Sequence, residues 1–199
     1  MSIVFDEAAH RYTVDGVELP SVTQIVAPLG NDLDEALELT VEAAADRGTT
    51  MHAYLAHRLT GGESDAFELP DVYKGYADAV ELFLEEHTIV PLLIETPLAG
   101  DGYAGTPDLV AEYDGALAVL DYKFVASVSK SKVCAQLNGY AALCESSGIF
   151  PEALYAVQFL QEGEYRVYPV AVDPEAFSLC LRLYRYKKKK HPRGRIGGI

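Results

Sequence analysis

The sequence has few cysteines and no apolar stretch long enough to cross a membrane. Its 199 residues include only three cysteines, Cys134, Cys144 and Cys180. Because the number is odd and each cysteine lies in an apolar helical pattern, we predict buried thiols in a reducing compartment rather than a disulfide framework. The early Asp6 and Glu7 are unlike a signal peptide, and no apolar run approaches the ~20 residues of a membrane span. We therefore expect a cytoplasmic protein that does not insert into membranes.

Basic residues are also scarce over most of the chain. Residues 1–184 hold nine Lys and Arg against all 30 Asp and Glu, a net charge of −21, whereas residues 185–199 hold the other seven basic residues. A body so acidic repels nucleic acid at long range, so nucleic-acid binding would need a local basic tract or bound cations. Two interpretations of the basic C-terminal tail, residues 185–199, are open: a nucleic-acid contact, or a solubilising tail or helix end.

The rest of the composition is typical of a single globular domain over residues 1–199. Apolar residues make up 49% of the chain, which is enough for a sizeable core. The patterns predict an N-terminal hairpin element over residues 1–30, turned at Asp15-Gly16 and followed by a short helix capped by Ser21 or Thr23. They then predict helices over about 33–59 (interrupted at Arg47-Gly48), 70–87 and 130–146 and from Asp173 onward, and strands over 90–98, 104–113, 116–125, 153–161 and 164–172. This order favours one α/β domain with a mixed sheet.

The most informative segment is 106–123, which reads as two apolar strands joined by Asp114-Gly115. Asp-Gly between apolar strands is the strongest short-range hairpin signal. A two-residue loop makes Asp108 and Asp121 direct cross-strand partners, whereas a three-residue loop would shift the register by one. Like charges that face each other destabilise a sheet, so the pair predicts a divalent cation between the two carboxylates.

Lys123 extends this constellation. Side chains alternate along a strand, so Lys123 lies on the same face as Asp121, close enough to act on a metal-bound water. The pattern thus outlines a hydrolytic site. The alternative is a solvent-facing hairpin in which both aspartates are hydrated and the lysine only relieves their repulsion.

Two upstream residues are further candidates. Gly48 and His52 lie one helical turn apart, so the glycine leaves room beside the imidazole for backbone or substrate. His52 is a candidate third metal ligand through a ring nitrogen, the alternative being an ordinary surface or core histidine. Glu95 lies in the predicted strand that neighbours Asp108, where it is either a ligand or supporting group, or an outward-facing edge residue.

The predicted helix 130–146 contributes polar residues. Gln136 and Tyr140 are four residues apart and project from one face, where Gln136 can orient the attacking water or a scissile phosphate. The alternative for Tyr140 is simple core packing. Lys130 and Lys132 begin the same helix, where they either contact a phosphate backbone or stay solvated.

Together these motifs resemble a known nuclease superfamily. Gly105-Thr-Pro-Asp108 followed by Asp121-Tyr-Lys123 resembles the core signature of the PD-(D/E)XK nucleases. Gln136-Leu-Asn-Gly-Tyr140 is similar to the extra motif of the RecB-like branch, which includes phage-type exonucleases, and Gly48-Thr-Thr-Met-His52 is similar to its upstream histidine motif. The motifs span residues 48–140, about half of the chain.

The resemblance implies a restriction-endonuclease-like core, in which a central mixed β-sheet is flanked by helices. It also implies Mg²⁺ or Mn²⁺ bound by His52, Asp108, Asp121 and the backbone carbonyl of Tyr122. Lys123 would position or deprotonate the water, and the remaining catalytic candidates are Glu95, Gln136 and Tyr140. The iron–sulfur cluster of some relatives needs four cysteines, so no such cluster is expected here.

The leading functional hypothesis is a Mg²⁺-dependent deoxyribonuclease, most specifically an exonuclease that acts on linear DNA ends in recombination, repair or phage DNA processing. One alternative is a catalytically inactive DNA-binding or scaffolding protein of the same fold, and another is a hydrolase of a non-nucleic-acid phosphoester. An annealing protein or helicase partner and an oligomeric assembly are compatible with the leading hypothesis. Salt dependence separates polynucleotide from small-substrate binding, because only the former must weaken steeply as salt rises.

Overall fold

The computed structural model describes residues 2–6, 9, 11–30 and 38–190. The strands are β1 (Ile3–Asp6), β2 (Arg11–Val14), β3 (Val17–Leu19), β4 (Ile89–Ile94), β5 (Leu98–Gly100), β6 (Tyr103–Gly105), β7 (Leu109–Tyr113), β8 (Ala116–Lys123), β9 (Ala153–Phe159) and β10 (Tyr165–Val170). The helices are α1 (Val22–Val26), α2 (Glu38–Leu59), α3 (Lys74–Glu86), α4 (Lys130–Ser146) and α5 (Pro174–Lys190). None of the described helices is long and apolar enough to span a bilayer.

Five strands form a mixed central sheet in the order β10-β9-β8-β7-β4. β4, β7 and β8 are antiparallel neighbours, β9 runs parallel to β8, and β10 is antiparallel to β9. A parallel pair needs a crossover connection, and α4 supplies it between β8 and β9. The predicted α/β class, with a mixed sheet flanked by helices, is confirmed.

Alternation along β8 divides the interior into two cores on opposite faces of the sheet. Val119 packs with Leu137 in the core beneath α4 and α5, whereas Leu120 packs with Phe83 in the core beneath α2 and α3. Asp121 is two residues beyond Val119 and therefore faces α4. The hydrophobic burial on both faces holds β8 rigidly in the centre of the molecule.

The turn between β7 and β8 has the predicted conformation. Asp114 and Gly115 both have positive φ, 48° and 88°, as a two-residue type I′ turn requires. The ladder then runs from the Tyr113–Ala116 pair to the Leu109–Leu120 pair. The predicted two-residue loop and its register are confirmed.

One predicted strand ends earlier than expected and another begins later. Residues 98–100 and 103–105 form a separate hairpin, β5–β6, so the predicted strands 90–98 and 104–113 are each cut short. Pro107 has no N–H for a ladder, and Glu95 has a positive φ of 41°, so pairing is interrupted at both residues. The turn Asp101-Gly102, with φ of 46° and 78°, carries the same Asp-Gly signal as the two turns that the sequence predicts.

The helices largely follow their predicted bounds, with one correction in α2. α2 continues without a break through Gly48, although the sequence predicts an interruption at Arg47-Gly48. A helical glycine costs only about 1 kcal/mol, which the burial of Met51 and Leu55 against the sheet offsets. Residues 33–37 of the predicted helix lie outside the described residues.

The N-terminal element is a three-stranded sheet, β1-β2-β3, rather than a single hairpin. Ser21, not Thr23, caps α1: its hydroxyl accepts a hydrogen bond from the Gln24 N–H, and its own N–H donates to Gln24 Oε1. At the other end of the chain, the described residues of the basic tail, 185–190, continue helix α5. Arg193 and Arg195 lie outside the described residues.

All three cysteines are free thiols. Cys144 and Cys180 are buried as predicted, whereas Cys134 is only half-buried. Cys134 lies in the first two turns of α4, beside a 530 Å³ cavity whose lining it shares with Lys130.

Candidate active site

Asp108 and Asp121 meet at one end of the central sheet. Asp108 is the residue before β7, and continuing the β7–β8 register beyond the Leu109–Leu120 pair places it opposite Asp121. The Tyr122 N–H donates a 2.6 Å hydrogen bond to Asp108 Oδ2, which fixes the Asp108 carboxylate over β8. The predicted pairing of the two aspartates therefore follows from the confirmed register, with Asp108 just outside the ladder.

Lys123 forms an ion pair with Asp121, the more buried of the two aspartates. Its Nζ lies 2.7 Å from Asp121 Oδ2, and Asp121 is only 1% exposed. The Asp121 Oδ2 atom accepts no hydrogen bond within the described residues, and the Lys123 ammonium is the positive charge beside it. A buried carboxylate needs a positive charge nearby, which Lys123 supplies here and which a bound metal ion would reinforce.

His52 reaches the carboxylates from α2. Its Nδ1 is 3.5 Å from Asp108 Oδ1 and 3.7 Å from Glu95 Oε1. Burial by itself lowers the pKa of His52, but the negative charges of Asp108 and Glu95 outweigh burial, and the net pKa is raised. At Gly48, one helical turn earlier, an added Cβ would meet no heavy atom within 4 Å, so the predicted room beside the imidazole is present.

Glu95 lies at the end of β4 in a strained conformation. Its φ of 41° is unusual for a residue other than glycine, and strain of this kind is commonly stored at functional sites. The Glu95 N–H donates to the Asp108 carbonyl oxygen at 3.1 Å, which holds the two residues together. Its side chain is 41% exposed, so the carboxylate lies at the open side of the cluster.

The charges in the cluster perturb one another. The net pKa of Asp108 is raised to about 6: burial and the neighbouring Asp121 charge raise it, whereas His52, Lys123 and the Tyr122 N–H act in the opposite direction. The described geometry thus holds the Asp108 carboxyl where its ionised form is penalised. A divalent cation would relieve that penalty.

Gln136 and Tyr140 extend the site along α4. Lys123 Nζ donates to Gln136 Oε1 at 3.4 Å, and Gln136 Nε2 donates to Tyr140 Oη at 3.2 Å. Burial raises the pKa of the Tyr140 hydroxyl, and the charges of Asp121 and Asp108 raise it further. Tyr140 is therefore not only a core residue, because its hydroxyl belongs to a polar chain that begins at the buried Asp121.

The remaining site candidates are Tyr122, Lys130 and Lys132. The Tyr122 side chain packs in the core of α2 and α3, so only its backbone bears on the site, and metal ligation by its carbonyl stays a prediction. Lys130 is exposed and Lys132 half-buried in the first turn of α4. Contact of either lysine with phosphate also stays a prediction.

Sequence reasoning gave no role to Arg47. Its Nε donates to the Phe124 carbonyl oxygen at 2.8 Å, and its guanidinium lies 5.5 Å from the centre of the Tyr76 ring. Arg47 thereby ties α2 to the residue that follows Lys123. The signal for it is its place beside Gly48 in the histidine motif.

The donor set fits Mg²⁺ or Mn²⁺. Both ions prefer oxygen ligands, and imidazole is a compatible additional ligand for Mn²⁺ and other transition metals. Adjacent ligands of an octahedral ion with bonds of 2.0–2.1 Å are about 3 Å apart, somewhat closer than the 3.5 and 3.7 Å from His52 to its two carboxylates. In the part of the chain that the structure describes, no three His, Cys, Asp or Glu side chains are already close enough to hold a metal ion, so binding requires them to draw together slightly.

The fold and the cluster define an α/β protein whose mixed central sheet carries carboxylates, a lysine and a histidine at one end. Among solved structures, the chain is similar to an alkaline exonuclease (LHK-Exo) from Laribacter hongkongensis, with 13% identity, a TM-score of 0.39, and coverage of 84% of this chain and 90% of that chain. LHK-Exo in complex with dAMP gives 13% identity, a TM-score of 0.38, and coverage of 87% and 93%. No family model and no curated protein matches the sequence.

Proposed function

We propose that this protein is a metal-dependent deoxyribonuclease, specifically an exonuclease that hydrolyses phosphodiester bonds at the ends of linear DNA. The observation that carries the proposal is the convergence at one end of the central sheet of His52 from α2, Asp108 from the residue before β7, and Asp121 and Lys123 from β8. The choice of DNA ends as substrate rests on the resemblance of these motifs to RecB-like and phage-type nucleases.

His52, Asp108, Asp121 and the Tyr122 carbonyl would hold the metal, with Glu95 at the open side. A bound Mg²⁺ or Mn²⁺ would supply charge stabilisation for the phosphate and lower the pKa of a bound water. The strained Glu95 backbone and its hydrogen bond to the Asp108 carbonyl set the direction from which that carboxylate approaches.

Lys123 would orient the attacking water. It is held as an ammonium 2.7 Å from Asp121, and in that form it is a hydrogen-bond donor without a free lone pair. We therefore assign it to positioning the water rather than to removing its proton. Gln136 fixes the ammonium from the other side, and Tyr140, in contact with Gln136, would donate to a phosphate oxygen.

Helix α5 would supply the attraction to DNA that the acidic body lacks. Arg185, Lys188 and Lys189 line a groove of 290 Å³ together with Pro20 and Gly102. Basic side chains along one helix can follow a phosphate backbone. Pro20 belongs to this groove and lies two residues before helix α1. Helix α1 in turn packs on α4 beside Tyr140.

Digestion of end-labelled linear DNA and closed circular DNA with Mg²⁺, Mn²⁺ or EDTA tests the proposal. We expect metal-dependent loss of linear DNA only, and loss of activity of at least 10²-fold in Asp121→Ala and Lys123→Ala, since electrostatic groups of this kind contribute on that order. Lys74→Ala is a matched control, because Lys74 is exposed and pairs with Asp71.

Two results would contradict the proposal in different ways. Cleavage of closed circles at the same rate would exclude an exonuclease and leave an endonuclease. No cleavage of any DNA or RNA by a folded, Mn²⁺-loaded protein would favour the inactive DNA-binding or scaffolding alternative.

A further inference from the structure

The N-terminal element contacts the strand that leads into Asp108. The Tyr12 hydroxyl on β2 and the Thr106 hydroxyl are 2.8 Å apart and hydrogen-bonded. Tyr12 is only 3% exposed, and its ring is stacked on Phe5 with the ring centres 4.5 Å apart. The Ala104 N–H also donates to the Pro20 carbonyl oxygen at 3.0 Å, so residues 104–106 are held from the N-terminal side at two points.

The contact at Thr106 lies two residues before Asp108, a proposed metal ligand. Thr106 is separated from Asp108 only by Pro107, whose ring fixes φ and which is itself buried. A displacement at Thr106 therefore reaches Asp108 through a single buried residue that has only one free backbone dihedral. The oxygen of Tyr12 is thus placed to set the position of the Asp108 carboxylate.

The same element contacts Tyr140 on α4. The Thr23 hydroxyl is hydrogen-bonded to Tyr140, and Thr23 is exposed, so this bond lies at the solvent side of the buried tyrosine. A Cβ added at Gly105 would lie 2.9 Å from Tyr140 Cε1 and 3.0 Å from Val22 Cγ2. The Tyr140 ring is therefore packed tightly between β6 and α1.

The hydrogen bonds at Tyr140 have a chemical consequence. Gln136 donates to the Tyr140 oxygen, which leaves the Tyr140 hydrogen free to choose its acceptor. A threonine hydroxyl both donates and accepts. The Thr23 hydroxyl can therefore accept a hydrogen bond from Tyr140 while no substrate is bound. It can donate a hydrogen bond to Tyr140 when the Tyr140 hydroxyl donates to an anion instead.

We propose that residues 11–26 form a wall of the active site, in which Tyr12 and Thr23 are positioning residues. Tyr12 acts on Asp108 through Thr106, and Thr23 acts on the direction of the Tyr140 hydroxyl. This inference rests on the proposed nuclease function, and it gives the N-terminal element a role that its sequence does not reveal.

Isosteric variants separate the two roles. Tyr12→Phe removes only the hydroxyl oxygen, Thr23→Val replaces the hydroxyl by a methyl group, and Thr23→Ser keeps the hydroxyl. Matched controls are Tyr165→Phe, whose hydroxyl contacts Glu86 and His87 beside the core on the other face of the sheet, and Thr60→Val, whose hydroxyl donates to carbonyls at the end of α2.

The readouts are Mn²⁺ affinity without DNA, steady-state cleavage of linear DNA, and thermal melting. We expect Tyr12→Phe to weaken Mn²⁺ binding about fivefold, the effect of one lost hydrogen bond. Thr23→Val should leave Mn²⁺ affinity within about twofold of wild type but lower kcat about tenfold at a similar KM, and Thr23→Ser should restore kcat.

The inference is overturned if Tyr12→Phe binds Mn²⁺ as tightly as wild type and Thr23→Val keeps the wild-type kcat. It is also overturned if the two control variants lose as much, or if each loss simply follows a fall in melting temperature. If the wild type binds Mn²⁺ but cleaves no nucleic acid, the proposed function fails and the role of Thr23 with it, whereas Mn²⁺ affinity still decides the role of Tyr12. If the wild type binds no Mn²⁺, both proposals fail.

Discussion

At the scale of single residues, the candidate site is an arrangement that folding alone would not favour. Asp108 and Asp121 are close together in a largely desolvated place, and the pKa of Asp108 is raised to about 6, chiefly by burial. The pKa of His52 is also raised, because Asp108 and Glu95 outweigh the opposing effect of burial. Ionisable groups with shifted pKa values are typical of functional sites, where residues needed for chemistry lower the stability of the fold.

The raised pKa of Asp108 predicts how stability changes with pH in metal-free buffer. Between the unfolded value near 3.8 and the folded value of about 6, the unfolded state loses its proton first, so stability falls as pH rises. His52 acts in the same sense, since its contribution is lost as pH rises through its raised pKa. Asp108→Asn should therefore increase the free energy of unfolding at pH 8 by about 3 kcal/mol relative to wild type, while abolishing cleavage.

Urea unfolding in EDTA at pH 5 and pH 8 measures this effect. Only the difference between wild type and Asp108→Asn is informative, because the acidic body also loses stability through charge repulsion as pH rises. The amide oxygen of the substituted side chain can still accept from the Tyr122 N–H, as the Asp108 carboxylate does, so the variant isolates the charge. Equal pH dependence in the two proteins would contradict the prediction.

At the scale of elements, two glycines near the site have opposite surroundings. An added Cβ at Gly48 in α2 meets open space, whereas at Gly105 in β6 it meets Tyr140 and Val22. Gly48→Ala should therefore raise stability by about 0.5–1 kcal/mol, as alanine does in a helix interior. Gly105→Ala should lower it by about 1–3 kcal/mol through overpacking and slow cleavage by displacing Tyr140.

Denaturant unfolding and DNA digestion on both variants provide the check. The two substitutions add the same methyl group, so each serves as the control for the other. Equal effects on stability would show that the close packing of Tyr140 against β6 does not constrain the fold.

Helix α2, which carries His52, is fixed to α3 by an ion pair. Arg58 donates to both carboxylate oxygens of Glu81 at 2.7 Å, and the Tyr54 hydroxyl donates to the same carboxylate at 2.6 Å. The hydrogen bond from Arg58 lowers the pKa of Glu81. This contribution to stability is present above the unfolded pKa and lost as pH falls through the lowered folded value.

Removing this charge should loosen α2. We expect Glu81→Gln to lower the free energy of unfolding by about 1 kcal/mol, a value that allows for partial solvent screening. The Arg11–Glu18 pair, at 4.0 Å and more than 60% exposed on both sides, is the matched control, and Glu18→Gln should change stability by less than about 0.5 kcal/mol. Chemical unfolding of both variants measures the two changes in stability. A larger loss for Glu18→Gln than for Glu81→Gln would contradict the stabilising role of the Arg58–Glu81 ion pair.

At the scale of the whole molecule, the charge is divided between an acidic body and a basic end. Of the basic tail, α5 carries Lys187, Lys188 and Lys189 within the described residues, with Lys188 lying 5.1 Å from the centre of the Tyr184 ring. The proposed DNA binding would depend on this local cluster or on bound cations, because the remaining surface repels phosphate at long range.

Salt dependence of DNA binding tests this division. Neutralising the three lysines to glutamine in an Asp121→Asn background should reduce the slope of log affinity against log salt by up to about 3, since each phosphate contact contributes about 0.9. Fluorescence anisotropy between 50 and 200 mM salt, roughly the range over which such contacts are lost, gives the slope. Lys74→Gln should leave the slope unchanged, and an unchanged slope in the triple variant would remove these three lysines from the DNA interface.

Local patterns along the chain were sufficient to predict the hairpin and its most favoured register. Asp-Gly favours a turn with positive φ, so Asp114-Gly115 favours a two-residue loop, and the structure confirms this loop and its pairing of β7 and β8 over the three-residue alternative. Apolar periodicity likewise determines α4 with Gln136 and Tyr140 on one face. The alternation of a strand places Lys123 beside Asp121. These features depend on neighbours within about 20 residues, which the sequence displays directly.

The tertiary structure decided what distant segments bring to the site. His52 and Glu95 lie more than 40 residues apart in the sequence, and only the packing of α2 on the sheet brings their polar atoms to 3.7 Å. The contacts of Tyr12 with Thr106 and of Thr23 with Tyr140 follow in the same way from the docking of the N-terminal element. Such contacts are set by the complementary shapes of buried surfaces, and shape complementarity between remote segments leaves no periodic signal in a single sequence.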